Sequence, residues 1–169
     1  LQQNAWMYLN GIIMVSPADY LIYGTDAPLA SALNLPYYTA AAWYHKMLPA
    51  DLQAKDLEEI LPEAESFTIN ELSPALTLGG FISLEKKNEI SEKMARFTGL
   101  SQKVILQRNL DIETSFFWKE LLRDRDGMTI GRLDSRYLGL DKSDGGERTD
   151  FNPEITSWLH SFTPAINQY

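Results

Sequence analysis

Two groups of side chains in this 169-residue sequence have the types and spacing to do chemistry. In Arg132-Leu133-Asp134-Ser135-Arg136, an extended backbone would place Arg132, Asp134 and Arg136 on one face, with the acid between two bases. Such a triplet suits two roles: an ion-pair ladder that fixes a hairpin, or a guanidinium positioned to receive a carboxylate through its bidentate fork. The second group is aromatic, Tyr37-Tyr38 followed by Trp43-Tyr44. These rings are either core or an aromatic wall beside an apolar substrate pocket. Tyr37, Trp43, Arg132, Asp134 and Arg136 are therefore the candidate substrate-binding residues.

The usual catalytic groups do not assemble in the sequence. A nucleophile elbow needs Gly-x-Ser-x-Gly, so that a sharp turn exposes the hydroxyl, and no serine satisfies it. Ser143 comes closest in composition but sits in a polar loop. The two histidines, His45 and His160, have no neighbouring nucleophile, and a hydrogen-bonding or packing role suits His45 near a helix C-terminus. The acidic run Asp141-Lys142-Ser143-Asp144-Gly145-Gly146-Glu147 fails the EF-hand pattern: Gly145 falls at the fifth position and Asn152 at the twelfth. It reads as a solvated loop. Gly79-Gly80 lacks the Lys-Ser/Thr of a phosphate loop. With no cysteine, the chain has no thiolate nucleophile, disulfide, iron–sulfur cluster or cysteine zinc site. No catalytic residue, metal ligand or cofactor is expected within it.

Composition narrows the class further. Fifteen Lys+Arg against 23 Asp+Glu give a net charge of -8, which repels phosphate backbones and argues against nucleic acid as a partner. The longest apolar run, Gly11 to Val15, is far short of the roughly 20 residues a bilayer requires, so no membrane partner is expected. No cationic stretch precedes it, and it does not read as a signal peptide. A chain of this length buries roughly 70% of its unfolded surface as one domain.

The elements that must position the candidates are mostly helical. Gly11-Ile12-Ile13-Met14-Val15 reads as a strand apolar on both faces, stopped by Ser16-Pro17. No second strand of that kind follows, so the chain is expected to be a piece of something larger. Pro36 sits at a helix start, and a helix over Tyr37–Leu48 ends before Pro49. Asp51 is expected to cap a second helical region. There Leu57, Ile60, Leu61, Ala64 and Phe67 keep helical spacing, Pro62 must kink or restart the helix, and Ile69, Leu72 and Leu76 extend the stripe to Gly79-Gly80. Ser83 caps a helix carrying Ile90, Met94 and Phe97 before Gly99; Ser101 starts a short one, and Ile112 to Leu122 marks another. Met128–Tyr137 alternates as a strand or hairpin arm, 140–153 is a polar surface loop, and Glu154 to Tyr169 is helical again, with Ile155, Trp158, Leu159 and Phe162 spaced for it before Pro164.

Four of these segments together resemble the bacterial branch of the serine carboxypeptidases, in the α/β-hydrolase superfamily. Leu9-Asn10-Gly11-Ile12-Ile13-Met14-Val15-Ser16-Pro17 resembles the strand after that family's nucleophile helix. Leu35-Pro36-Tyr37-Tyr38-Thr39-Ala40-Ala41-Ala42-Trp43-Tyr44-His45 resembles the helix that opens its cap insertion. Gly131-Arg132-Leu133-Asp134-Ser135-Arg136-Tyr137 and Asn167-Gln168-Tyr169 resemble later signatures in the same order. The resemblance implies that the nucleophile elbow and oxyanion segment lie upstream of this chain and the catalytic Asp and His downstream. It also implies a parent that releases C-terminal residues from peptides by acyl-enzyme chemistry, and relatives of this kind are often exported.

The expected fold is therefore mainly α: a helical cap or insertion domain over 21–169, preceded over 1–20 by one strand of the hydrolase sheet, with a short β-hairpin near 128–138. The expected partners are the remainder of the parent hydrolase and, in the intact enzyme, a peptide substrate. The lone strand Leu9–Val15 has unpaired edges, so a homodimer through it is also expected. The competing reading is an independent helical module whose aromatic face binds another protein.

Overall fold

A computed structural model describes residues 27–168; the expected strand at Leu9–Val15 and the terminal Tyr169 lie outside them. The described residues are mainly helical with one two-stranded antiparallel sheet. Helices α1 (Ala27–Leu33) and α2 (Leu35–Tyr44) run nearly end to end, α3 (Ala50–Gln53) is a single turn, and α4 (Leu57–Phe67) passes through a π-helical stretch at Thr68–Leu72 into α5 (Ser73–Leu78). After the 3-10 turn at Gly79–Phe81 come α6 (Leu84–Thr98), α7 (Gln102–Gln107), α8 (Thr114–Glu120) and α9 (Arg123–Asp126). Strands β1 (Met128–Ile130) and β2 (Leu138–Leu140) and helix α10 (Pro153–Asn167) complete the order.

Helix α2 is the centre of the bundle, packing against both α4 and α6. Its small residues Ala41 and Ala42 are buried, so neighbouring helices approach closely there. Tyr38 is buried among them, stacked on Phe117 at 4.2 Å between ring centroids, and its hydroxyl donates to the Ile112 carbonyl at 2.8 Å. That bond ties α2 to the segment leading into α8, where Phe116, Phe117, Leu121 and Leu122 supply the other side of the core.

The local signals act where they were read. Ser83 Oγ accepts from the Lys86 amide at 3.1 Å and Ser101 Oγ from the Val104 amide at 3.3 Å, each satisfying a free amide of a first helical turn. Gly99 ends α6 at φ 71°, and a Cβ there would come within 2.8 Å of Met47 Cβ, so both conformation and space require glycine. Asp51 caps nothing: it lies inside α3, whose preceding residue is Pro49, and pairs instead with Arg96 at 2.6 Å.

Two expectations about helix continuity are corrected. Pro62 does not interrupt α4, because it and Glu58 lie on the solvent face, where water can bond the carbonyl the proline leaves without a donor. Ile69 is exposed rather than part of the apolar stripe, since the π-helical turn inserts a residue and the buried row runs Ala64, Thr68, Leu72, Ala75. Pro74 cannot donate to the preceding turn, and Ser73 Oγ bonds the Thr68 carbonyl at 2.8 Å, which sustains the wider turn. The C-terminal helix likewise runs through Pro164 to Asn167.

The hairpin pairs Met128 with Leu140, Thr129 with Gly139 and Ile130 with Leu138. Its second strand thus extends two residues past the expected limit, and residues 131–137 form the connection rather than a strand. β1 packs on α8 and β2 on α10.

Candidate functional site

The 131–137 connection is held closed by its own backbone and by α2. The Gly131 amide donates to the Tyr137 carbonyl at 2.9 Å, and the Tyr137 amide to the Asp134 carbonyl at 3.1 Å. Asp134 Oδ1 accepts from the Arg136 amide at 3.0 Å and from its Nε at 2.9 Å, while Oδ2 accepts from the Arg136 Nη2 at 2.7 Å. The Arg136 side chain, then its amide, holds the Asp134 carboxyl down at about 2. The expected ladder is therefore corrected. The segment is a tight turn, so Arg132 is not aligned with the other two, and it makes no ion pair among the described residues. Every other arginine of the chain is paired with an acid.

His45, at the C-cap of α2, is buried, and its Nε2 lies 2.7 Å from the Ser135 carbonyl, 90 residues away in sequence. The tautomer that carries hydrogen on Nε2 donates this bond. Burial pushes the His45 pKa below its ordinary value; the bond to Ser135 opposes that, and the Arg125 guanidinium adds to it. Arg125 Nη1 in turn donates to the His45 carbonyl at 2.6 Å.

Tyr37 stands beside the same turn. Trp118 Nε1 donates to its hydroxyl at 2.9 Å. Burial raises the Tyr37 pKa, hydrogen bonds with Trp118 and Ser135 lower it in part, and the charge of Glu154 adds to the rise. Glu154 is completely buried at the start of α10, with Oε1 accepting from the Leu133 amide and Oε2 without a hydrogen-bond partner among the described residues. A Cβ on Gly131 would come within 2.5 Å of that Oε2, which is why the turn approaches α10 only through glycine. Tyr137 closes the cluster edge-on to Trp158 at 5.5 Å.

Trp43 belongs elsewhere. Its Nε1 donates to the Lys55 carbonyl at 3.0 Å and Lys46 Nζ lies 4.9 Å over its ring, so it seals the turn between α3 and α4. The four aromatic residues do not form one wall: Tyr37 and Tyr38 face Phe117, Trp43 faces Lys55, and Tyr44 lies edge-on to His45. Of the expected site residues, the structure brings together Tyr37, Asp134 and Arg136 around the turn, leaves Arg132 at its surface, and separates Trp43. Two cavities of about 440 and 430 Å³ lie beside Gly79-Gly80 and beside Arg108, and none of these residues lines either.

A buried ion pair was not foreseen. Lys119 and Asp141 are only 6% and 4% exposed and meet at 2.8 Å. Lys119 also donates to the Ser143 carbonyl at 2.8 Å and the Arg148 carbonyl at 3.3 Å, so its ammonium holds three points of the 141–152 loop. Burial raises the Asp141 pKa, but Lys119 and the amides of Lys142 and Asp150 outweigh it, and the net shift is downward. The loop's first acid is thus an anchor and not solvated. The one sequence signal is Lys119 on the same helical face as Phe116, which is buried.

No described serine hydroxyl hydrogen-bonds a histidine ring; His45 meets the carbonyl of Ser135, not its hydroxyl. Among the described residues, no group of three or more His, Cys, Asp or Glu could hold a metal ion, and no helix is long and apolar enough to cross a membrane. No family model, curated protein or solved structure matches the chain.

Proposed function

We propose that this chain is the helical cap of a serine-carboxypeptidase-like hydrolase, shaping the entrance to a peptide-binding pocket whose Ser-Asp-His triad lies outside these 169 residues. The observation that carries the reading is the junction of His45 with Ser135 at 2.7 Å. It joins two of the segments that resemble the family, the α2 helix and the Gly131–Tyr137 turn, into one cluster with Tyr37, Trp118 and Glu154. A turn tied at His45, Tyr37 and Glu154 is a rigid rim, the kind of element that sets pocket shape without taking part in bond making.

The cap itself would supply no proton transfer and no nucleophile, and the isolated chain would hydrolyse nothing. The remainder of the hydrolase is its partner and peptides are the substrates of the intact enzyme. Reading the coding sequence on either side of this segment tests the proposal: an upstream Gly-x-Ser-x-Gly with a downstream Asp and His supports it, and flanks without them refute it. Turnover of a blocked dipeptide by the purified chain, abolished by a serine-directed inhibitor, would also refute it.

A further inference from the structure

The cavity of about 440 Å³ beside Gly79-Gly80 lies between α5, the 3-10 turn, the first turn of α6 and the residues just after α7. That volume is within the span of small-molecule sites, about 300–1,000 Å³. Leu76, Ile82, Leu84 and Leu110 line it, and a Cβ at Gly79 or Gly80 would meet no atom within 4 Å. Among the lining residues only Lys87 is charged.

Lys87 meets one polar side chain there. It is half-buried, and its Nζ donates to Asn109 Oδ1 at 2.7 Å. It makes no ion pair among the described residues, whereas Lys86 and Lys93 on the same helix each pair with Glu71 and Glu89. An ammonium can only donate, so the carboxamide oxygen is the atom that faces it. Asn109 Nδ2 is left without a hydrogen bond among the described residues, beside the remaining N–H groups of Lys87. The backbone holds this arrangement in place. Asn109 ends α7 at φ 54°, its amide bonding the Leu106 carbonyl and the Leu110 amide bonding the Ile105 carbonyl, each at 3.1 Å. Glycine is the usual residue at such a helix ending; asparagine tolerates it and also brings a carboxamide to Lys87. Leu110, at φ 69°, gains no such tolerance: a bulky residue there is an outlier, and outliers of this kind gather at ligand sites. Leu110 is 2% exposed and lines the cavity.

We propose that this cavity binds a medium-chain monocarboxylate, its head bridging Lys87 Nζ and Asn109 Nδ2 and its chain lying against Leu76, Ile82, Leu84 and Leu110. Charge sets the head group. One cation matches one negative charge, and a polyanion would meet a chain of net charge -8 with a single ammonium to hold it. Two donors on neighbouring side chains match the two oxygens of a carboxylate. The apolar lining sets the tail, and Leu84, which is 80% exposed, loses apolar surface to water when the site fills. The proposal does not rest on the hydrolase reading.

Titration calorimetry with sodium octanoate, and with 1-octanol as the neutral-headed counterpart, tests it on the whole chain. Octanoate is expected to bind with a dissociation constant on the order of 100 µM. Octanol is expected to bind at least tenfold more weakly. Methyl resonances of Ile82 and Leu110 are expected to shift on addition of octanoate. Lys87→Met is expected to weaken octanoate about tenfold and leave octanol unchanged, with helical circular dichroism retained. Asn109→Gly, which suits the left-handed backbone, is expected to keep or raise the melting temperature while weakening octanoate about fivefold. No binding of octanoate up to several millimolar would overturn the proposal. Equal affinity for octanol, methyl shifts confined to other residues, or undiminished octanoate binding by folded Lys87→Met or Asn109→Gly would overturn it as well.

Discussion

Replacing Lys119 by methionine removes the centre of the buried clasp while keeping the length of its stem. The ammonium donates to Asp141, to the Ser143 carbonyl and to the Arg148 carbonyl, and the pair is almost completely withdrawn from water. The substitution leaves Asp141 buried with only the amides of Lys142 and Asp150 as donors. Removing one partner of a buried pair destabilises by about 3–5 kcal/mol, because the remaining charge is uncompensated. For a domain of this size that corresponds to a fall of about 6–20 °C in melting temperature. Urea unfolding followed by circular dichroism measures it. A Lys119→Met/Asp141→Leu double variant is expected to lose less than the two single variants summed, with a coupling of about 2 kcal/mol in the cycle. The pH dependence has a definite sign. The folded pKa of Asp141 is lowered, so its contribution is complete above the ordinary carboxylate range and lost as pH falls through the lowered value. Lys119→Met should therefore flatten the acid limb of the stability curve. A single-variant loss under about 1 kcal/mol, or strict additivity, would refute the reasoning.

Gly131→Ala drives a Cβ into the Asp134 carbonyl and to 2.5 Å from Glu154 Oε2, with an expected loss of about 1–3 kcal/mol in urea unfolding and weaker amide-exchange protection at Leu133. His45 has a folded pKa lowered mainly by burial, so its contribution is complete above the unfolded value, about 6.5, and is lost as pH falls through the folded one. His45→Gln is expected to remove that segment of the pH–stability profile, measured by thermal unfolding from pH 7.5 to 5. Arg132→Ala, which breaks no ion pair among the described residues, should change stability by less than about 0.5 kcal/mol, whereas Asp134→Ala, which removes the acceptor for the Arg136 amide, should lower the urea midpoint measurably. Equal losses at the two positions would show that Arg132 has a structural role.

What was legible in the sequence was what neighbours in the chain decide. Ser83, Ser101 and Gly99 act on amides and carbonyls within one turn, so residue type alone signals them. The mainly helical class with a hairpin followed from spacing in the same way. Asp51 failed because Asp and Pro49 both suit a helix entry and the distant Arg96 claimed the carboxylate. Ile69 failed because a π-helical turn changes the period that the spacing argument assumes. The turn at 131–137 was singled out by its charges, but the groups that hold it, His45, Tyr37, Trp118 and Glu154, are scattered across the chain, and no local pattern connects them. Asp141 looked solvated for the same reason, since its partner Lys119 lies in another element.

The central claim, a hydrolase cap whose nucleophile lies elsewhere, is tested most directly by covalent labelling with a fluorophosphonate, which marks activated serines. The isolated chain and the longer polypeptide that contains it would each be treated and mapped by mass spectrometry. The account requires no adduct on any serine of these 169 residues and one stoichiometric adduct on a serine upstream of them in the longer polypeptide. An adduct on a serine within the chain, or a longer polypeptide that takes no label while folded, would contradict it.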